Sequence, residues 1–128
     1  MKLVSLIAIF IGGGLGSVSR YLVTRLVVSI GYGAKFPLAT LLANVLACVV
    51  IAVVLYFSLR DKEISESWSL FWLIGFCGGF STFSTFSYEN WLLMRDGWYS
   101  VLALNVVLSV LMCMAVFYVA NKYFIVPN

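Results

Sequence analysis

The sequence predicts an all-α membrane protein with four transmembrane helices and almost nothing outside them. Of its 128 residues, 63% are hydrophobic and only 10% are charged, and the mean hydropathy is +1.07. These values are too apolar for a water-soluble domain. About 20 apolar residues cross a bilayer as a helix, and four stretches are long enough: about 3–30, 37–59, 67–94 and 97–124. We expect a single transmembrane domain over residues 1–128, in the plasma (inner) membrane.

The first stretch starts like a signal peptide, with Lys2 before an apolar run, but no Ala-x-Ala site follows, so we expect an uncleaved helix. Gly12, Gly16 and Arg20 recur every four residues on one face, and the glycines let another backbone approach closely. Arg20 lies toward the end of the span. It either anchors the helix at the interface or supplies positive potential at the mouth of an anion path.

The second and fourth stretches carry matched polar lines. Pro37 suits the first turn of a helix because it has no N–H to donate, and Thr40, Asn44 and Cys48 then recur every four residues. The corresponding positions of the fourth stretch are Asn105, Ser109 and Cys113. These lines either border a common track or make helix–helix hydrogen bonds. Asn44 accordingly bonds a neighbouring backbone or points its amide into an aqueous vestibule, and the matched lines favour the vestibule.

The third stretch has an unusual centre, Gly78-Gly79-Phe80-Ser81-Thr82-Phe83-Ser84-Thr85-Phe86-Ser87. Its phenylalanines and its serines each recur every three residues, whereas an α-helix advances 3.6 residues per turn. Ser and Thr side chains also compete with the backbone for hydrogen bonds. We therefore predict a 3₁₀ or locally broken segment near 78–84, in the middle of the membrane.

Such a segment has donors for a small anion. Hydroxyl and amide groups donate conventional hydrogen bonds, and the rim of a phenyl ring carries the positive end of its quadrupole. Phe83 and Phe86 lie a turn apart, next to the hydroxyls of Thr82 and Ser84. Considered as residues alone, the two phenylalanines more often have a packing role, which is the alternative to presenting their edges to an anion.

The positive charges that normally fix membrane orientation are balanced here. Four helices put both termini on one side, with Lys2, Arg60, Lys62 and Lys122. The opposite side carries Arg25, Lys35 and Arg95, and also Arg20 if it extends that way. The balance reflects either the weak statistics of short loops or a chain that inserts both ways and pairs with an inverted copy. Because four helices are too few to enclose a path, we favour the antiparallel homodimer.

Composition excludes several other classes. The three cysteines are an odd number and all fall inside spans, so we expect neither a disulfide framework nor a cysteine metal site. The absence of histidine removes the usual proton relay. The net charge of +3 is small and dispersed along the chain, so we expect no basic patch that would bind nucleic acid. Acidic metal ligands beside a phosphate cradle are missing from the sequence pattern, so we expect no enzyme such as a lipid kinase.

The third-stretch motif closely resembles the signature of the small fluoride channels, the Fluc or CrcB family. It begins Gly75-Phe76-Cys77 and continues through the Phe/Ser/Thr run to Glu89. The similarity extends to Gly12-Gly13-Gly14-x-Gly16-x-x-x-Arg20-Tyr21 and to Pro37-x-x-Thr40-Leu41-x-x-Asn44, and so to three of the four helices. Ala39, Asn105 and Cys113 depart from the residues that are usual in the family at these positions.

The resemblance implies a dual-topology homodimer with two parallel pores, each lined by both subunits, that exports fluoride passively. Phe83 and Phe86 match the phenylalanines whose ring edges meet fluoride. Asn44 matches the vestibule asparagine, and the implied polar lining is Thr40, Thr82, Ser84 and Ser109. Arg20 matches the basic residue of the pore entrance.

The resemblance also implies a central sodium ion that is not transported. Main-chain carbonyls of Gly78 and Ser81, from each subunit, would hold it at the dimer interface, and oxygen-only ligation suits a hard cation.

One rival function is a small proton-coupled exporter of cationic drugs, which can also be a dual-topology dimer. It requires a carboxylate inside the membrane, and Glu89 is the candidate. Glu89 lies near the end of its span, so packing or a salt bridge is the simpler expectation for it.

Overall fold

Residues 3–60 and 65–125 are described by the computed structural model, and they are helical almost throughout. Helix α1 is Leu3–Ser29 and α2 is Leu38–Arg60. Helix α3 runs without interruption through the segments Glu66–Ser69, Leu70–Phe76 and Cys77–Phe80. Helix α4 is Phe83–Arg95, and α5 is Tyr99–Ala120 followed by a π-helical turn, Asn121–Ile125. The described residues contain no strand.

Four stretches are long and apolar enough to cross a bilayer: Leu3–Ser29, Leu38–Arg60, Glu66–Arg95 and Tyr99–Phe124. The predicted all-α architecture with four membrane spans is thus confirmed, and the expected bounds (3–30, 37–59, 67–94 and 97–124) lie close to these. Helices α3 and α4 form one span between them. Large apolar side chains are widely exposed on the chain, Phe10 at 82% for example, as expected of helices that face lipid.

The turn between α4 and α5 has a fixed geometry that depends on one glycine. Gly97 has φ +79°, a conformation that residues with a Cβ rarely adopt. Its N–H donates to the carbonyl of Met94 at 3.1 Å, and the N–H of Trp98 donates to that of Leu93 at 2.7 Å. These two bonds form a Schellman motif, which holds Trp98 against the end of α4.

Helices α1 and α3 touch backbone to backbone through glycines. A Cβ added at Gly75 would lie 2.8 Å from the carbonyl oxygen of Ile9 and 3.0 Å from Cα of Gly12. A Cβ at Gly16 would meet the N–H of Phe80 at 2.8 Å. The packing role expected for Gly12 and Gly16 is therefore confirmed, and it fixes the end of α3 against α1.

We expect Gly75→Ala to lower the free energy of unfolding by about 1–3 kcal/mol, because its methyl group has only rigid backbone to displace. Thermal or denaturant unfolding in detergent micelles measures the effect. Gly14→Ala is the matched control, since a Cβ there meets nothing within 4 Å, and it should leave stability unchanged or slightly raised. Equal stability of Gly75→Ala and wild type would contradict close contact between α1 and α3.

Seven residues of α3, Leu70–Phe76, are π-helical, which the sequence analysis did not anticipate. Aromatic rings four residues apart contact one another along this span in tilted or edge-to-face arrangements. The centroid distances are 6.3 Å for Trp68 and Trp72, 5.2 Å for Trp72 and Phe76, and 5.5 Å for Phe76 and Phe80. Phe80 ends the series in the core, where it packs on Ala43 and Ala47 of α2.

Candidate functional site

The third span is interrupted by two extended residues. Ser81 has ψ 161°, and Thr82 has φ −156° and ψ 116°. The predicted break near 78–84 is thus confirmed, but it is narrower than expected. Gly78 and Gly79 stay in α3, and Ser84 already belongs to α4. The interruption is an extended dipeptide rather than a 3₁₀ turn.

Asn44 satisfies the backbone of this break from the neighbouring helix. Its Oδ1 accepts from the N–H of Thr82 at 2.8 Å, and its Nδ2 donates to the Thr82 carbonyl at 3.5 Å. Both groups would otherwise be unpaired in an apolar environment, at a cost of about 1–3 kcal/mol each. Of the two roles considered for Asn44, the structure shows the bond to a neighbouring backbone.

Two backbone donors at the break are redirected away from their helical partners. In a continuous helix the N–H of Thr82 would bond the carbonyl of Gly78, and that of Thr85 would bond Ser81. Instead, Thr82 donates to Asn44, and Thr85 donates to the hydroxyl of Thr82 at 3.2 Å. The carbonyls of Gly78 and Ser81 thus lose these donors, and Gly78 is exposed on the surface of the chain.

Thr82 also caps the N-terminus of α4. It is buried, and its hydroxyl lies 3.0 Å from that of Thr85 and 3.3 Å from that of Ser84. A threonine cap stabilises the first turn by satisfying one free N–H. Hydroxyl groups consequently cluster where α4 begins, directly before the phenylalanines.

Phe83 and Phe86 lie on the surface of the single chain. Phe83 is 81% exposed and Phe86 is half-buried. Their ring centroids are 6.1 Å apart and the planes are inclined by 35°. Phe80, three residues earlier, is only 6% exposed. Of the three phenylalanines with this spacing, Phe80 packs in the core, Phe86 is half-buried and Phe83 is presented outward, so packing within the subunit does not explain Phe83.

Side chains of α4 and α5 form a second polar cluster. Asn105 is 1% exposed; it donates to Asn90 Oδ1 at 3.0 Å and accepts from the Ser109 hydroxyl at 3.4 Å. Asn90 in turn donates to the Phe86 carbonyl at 3.0 Å. Ser109 is thereby connected to the Phe86 turn. Asn90 was not among the predicted site residues, although its amide four residues after Phe86 was the available signal.

Thr40 donates to Glu89 Oε1 at 2.7 Å. The second carboxyl oxygen, Oε2, is buried and has no hydrogen-bond partner among residues 3–60 and 65–125. Glu89 also lines a cavity at the end of the bundle where α4 meets α5. Within the described ranges it forms no salt bridge, so the packing role considered for it fits better than ion pairing.

Arg20 is half-buried on α1. Within residues 3–60 and 65–125, Arg20 forms no ion pair. The ion pair found there joins Arg95 and Asp96 at 2.7 Å. Over the same residues there is no cluster of three or more His, Cys, Asp or Glu side chains suited to a metal. A cation at the break would therefore depend on carbonyl oxygens.

Comparison with known proteins decides the family. The model of the family described as "CrcB-like protein, Camphor Resistance (CrcB)" matches residues 7–121. The chain belongs to the CrcB family. The resemblance expected from the glycine, asparagine and phenylalanine motifs is thus confirmed, and the family's named members are ion channels, not enzymes. With its four apolar helices, this CrcB protein is a multi-pass membrane protein.

Relatives match it over most of their length. The "Fluoride-specific ion channel FluC" of Azobacteroides pseudotrichonymphae genomovar. CFP2 is 39% identical over 117 residues, 89% of this chain and 93% of the relative. The protein of the same name from Pyrococcus abyssi is 40% identical over 111 residues, 87% of this chain and 88% of its own. That from Coxiella burnetii is 40% identical over 112 residues, 87% and 90% respectively.

Proposed function

We propose that this protein is a fluoride-selective channel that exports cytoplasmic fluoride passively, with two pores in an antiparallel homodimer. The observation that carries the proposal is the pair Phe83, which is exposed, and Phe86, which is half-buried, immediately after a hydroxyl-rich break in a membrane span. The names of the relatives, fluoride-specific ion channels, agree with it.

The phenylalanine pair suits a small anion. A ring edge carries partial positive charge, and two rings inclined by 35° at 6.1 Å can turn their rims toward a common point. Edges of this kind stabilise an anion without holding it strongly, which conduction requires. The hydroxyls of Thr82 and Ser84 add conventional donors at the same turn.

Polar residues extend this site to either side. Thr40 and Asn44 lie one turn apart on α2 and both bond α4 or the break. Ser109 on α5 connects through Asn105 and Asn90 to the turn of Phe86. We assign Thr40, Asn44 and Ser109 to the lining of the fluoride path, and half-buried Arg20 to its entrance. The hydrogen bonds of Asn44 also fix the shape of the break.

An inverted second copy completes the path in this proposal. Phe83 is exposed, and a four-helix bundle is too small to enclose a path, so a second subunit is needed to line the other side of the fluoride path. The balance of Lys and Arg between the two ends supports insertion in both orientations. Each phenylalanine pair then faces the partner subunit instead of lipid.

Carbonyl oxygens at the break could bind a sodium ion at the dimer interface. The carbonyls of Gly78 and Ser81 lose their helical N–H partners, and a carbonyl oxygen without a donor is a good ligand for a hard cation. Two such carbonyls from each subunit would hold the ion. The bound cation would neutralise carbonyl dipoles at membrane depth, a structural contribution that involves no transport.

In liposomes loaded with fluoride we expect the purified protein to release the anion electrogenically, with little release of chloride. Each 100 mV of membrane potential supplies about 2.3 kcal/mol per charge for this movement. A fluoride electrode measures the flux, with and without valinomycin in a potassium gradient. Equal fluxes of chloride and fluoride, or no ion flux, would contradict the channel. A uniform orientation in an accessibility assay would contradict the antiparallel dimer separately.

A further inference from the structure

A cavity of about 440 Å³ opens at the end of the bundle where the α1–α2 connection meets the α4–α5 turn. Its wall includes Lys35 and Pro37 from the first connection, Glu89 and Leu93 from α4, and Asp96 and Trp98 from the turn. Glu89 bonds Thr40, and Asn44 lies one turn deeper on α2. The cavity therefore adjoins the polar residues that lead to the break.

Lys35 has a fixed position at the mouth of this cavity. Its ammonium nitrogen lies 3.5 Å from the centroid of the Trp98 ring, within the range of a cation–π interaction. The two bonds of the Schellman motif hold Trp98, so the ring is anchored to α4 independently of Lys35. Lys35 is exposed to solvent, and the Trp98 ring holds its ammonium group beside the cavity.

The charges around the cavity are nearly balanced, and Lys35 decides the balance. Arg95 donates to Asp96 at 2.7 Å and compensates it. This hydrogen bond lowers the pKa of Asp96, and Lys35 adds a smaller lowering, so Asp96 is ionised at neutral pH. Glu89 contributes a second carboxyl group to the wall. Without Lys35, the cavity would hold carboxyl groups in excess of cations.

We infer that Lys35 sets the electrostatic potential of an anion entrance, and that Trp98 is the residue that positions it. The ammonium attracts monovalent anions into the cavity. This inference rests on the proposed function, since it assigns a mouth to the same fluoride path.

The test is fluoride efflux from liposomes at two ionic strengths. At about 10 mM salt, where the Debye length is roughly 30 Å, we expect Lys35→Gln to lower the initial rate about two- to five-fold. At about 1 M impermeant salt, where it is roughly 3 Å, the rates should converge. Lys35→Arg should retain the wild-type rate, and Trp98→Leu should show a smaller loss than Lys35→Gln.

Lys122→Gln is the matched control, because it removes the same charge from a residue that does not line the cavity, and it should leave the rate unchanged. Lys35→Cys separates charge from folding: a cationic thiol reagent should raise the rate of this variant at low salt, and an anionic one should lower it. Wild-type protein treated in the same way corrects for the native cysteines.

The outcomes separate the two hypotheses. A conducting wild-type protein whose Lys35→Gln variant has the same rate at both salt concentrations would overturn the role of Lys35 alone. Identical rates of Lys35→Cys with cationic and anionic reagents would do the same. A wild-type protein without fluoride flux would overturn the proposed function and this inference with it.

Discussion

Phe86→Ile and Phe83→Ile should each reduce fluoride flux by at least about ten-fold, which corresponds to roughly 1.4 kcal/mol at the barrier. Isoleucine keeps a large apolar side chain but has no aromatic rim with partial positive charge. Because Phe83 is 81% exposed in the single chain, its replacement removes little packing within the subunit. We therefore expect the stability of the Phe83→Ile subunit to change much less than its flux.

The measurement is initial fluoride efflux from liposomes at equal protein density. Phe10→Ile is the matched control, since Phe10 is 82% exposed on α1 and lies outside the site. It should conduct like wild type. If Phe86→Ile and Phe83→Ile conducted as well as Phe10→Ile, ring edges would have no part in the path and the central assignment would be wrong.

Asn44→Ala should lower the free energy of unfolding by about 2–4 kcal/mol and abolish flux. Alanine leaves both the N–H and the carbonyl of Thr82 without their partner, and each buried unpaired group costs about 1–3 kcal/mol. Asn44→Asp separates the two effects, because a carboxylate still accepts from the Thr82 N–H. Its negative charge, however, opposes an anion. We expect it to recover much of the stability and none of the flux.

Unfolding in detergent and efflux from liposomes measure the two effects. Ser58→Ala on the same helix is the control: the Ser58 hydroxyl has no hydrogen-bond partner within the described residues, and its loss should be neutral in both assays. Wild-type stability of Asn44→Ala would show that the break does not depend on the amide. Fluoride flux through Asn44→Asp would remove Asn44 from the anion path.

Hydropathy predicted the spans well, because the cost of burying polar groups in lipid acts on each stretch independently of its neighbours. The break was also predictable, since a period of three and clustered Ser and Thr disagree with an α-helix over several turns. The residues at which the break begins and ends were not predictable. Gly78 and Gly79 suggested an earlier start, but both are helical, and Gly79 packs directly on Gly13 of α1.

Other features depend on contacts that a single sequence does not display. The π-helical segment Leu70–Phe76 consists of ordinary apolar residues that suit an α-helix equally well. Asn90 gains its role only because Asn105 of α5 lies opposite it. For Asn44 the sequence offered a vestibule and a backbone bond as alternatives, and only the conformation of Thr82 reveals the backbone bond. Side-chain partners across helices were thus the main unpredictable element.

The bond between Asn44 and Thr82 has a consequence for biogenesis. The amide that satisfies the backbone of the break belongs to a different helix. Without it, the third span would satisfy its own backbone best as one continuous helix, and we expect it to leave the translocon in that form. Because α2 is synthesised first, the Asn44 side chain is already in the bilayer when the third span enters it. The continuous helix then bends at Ser81 and Thr82 only as the helices assemble, in the second of the two stages by which membrane proteins fold.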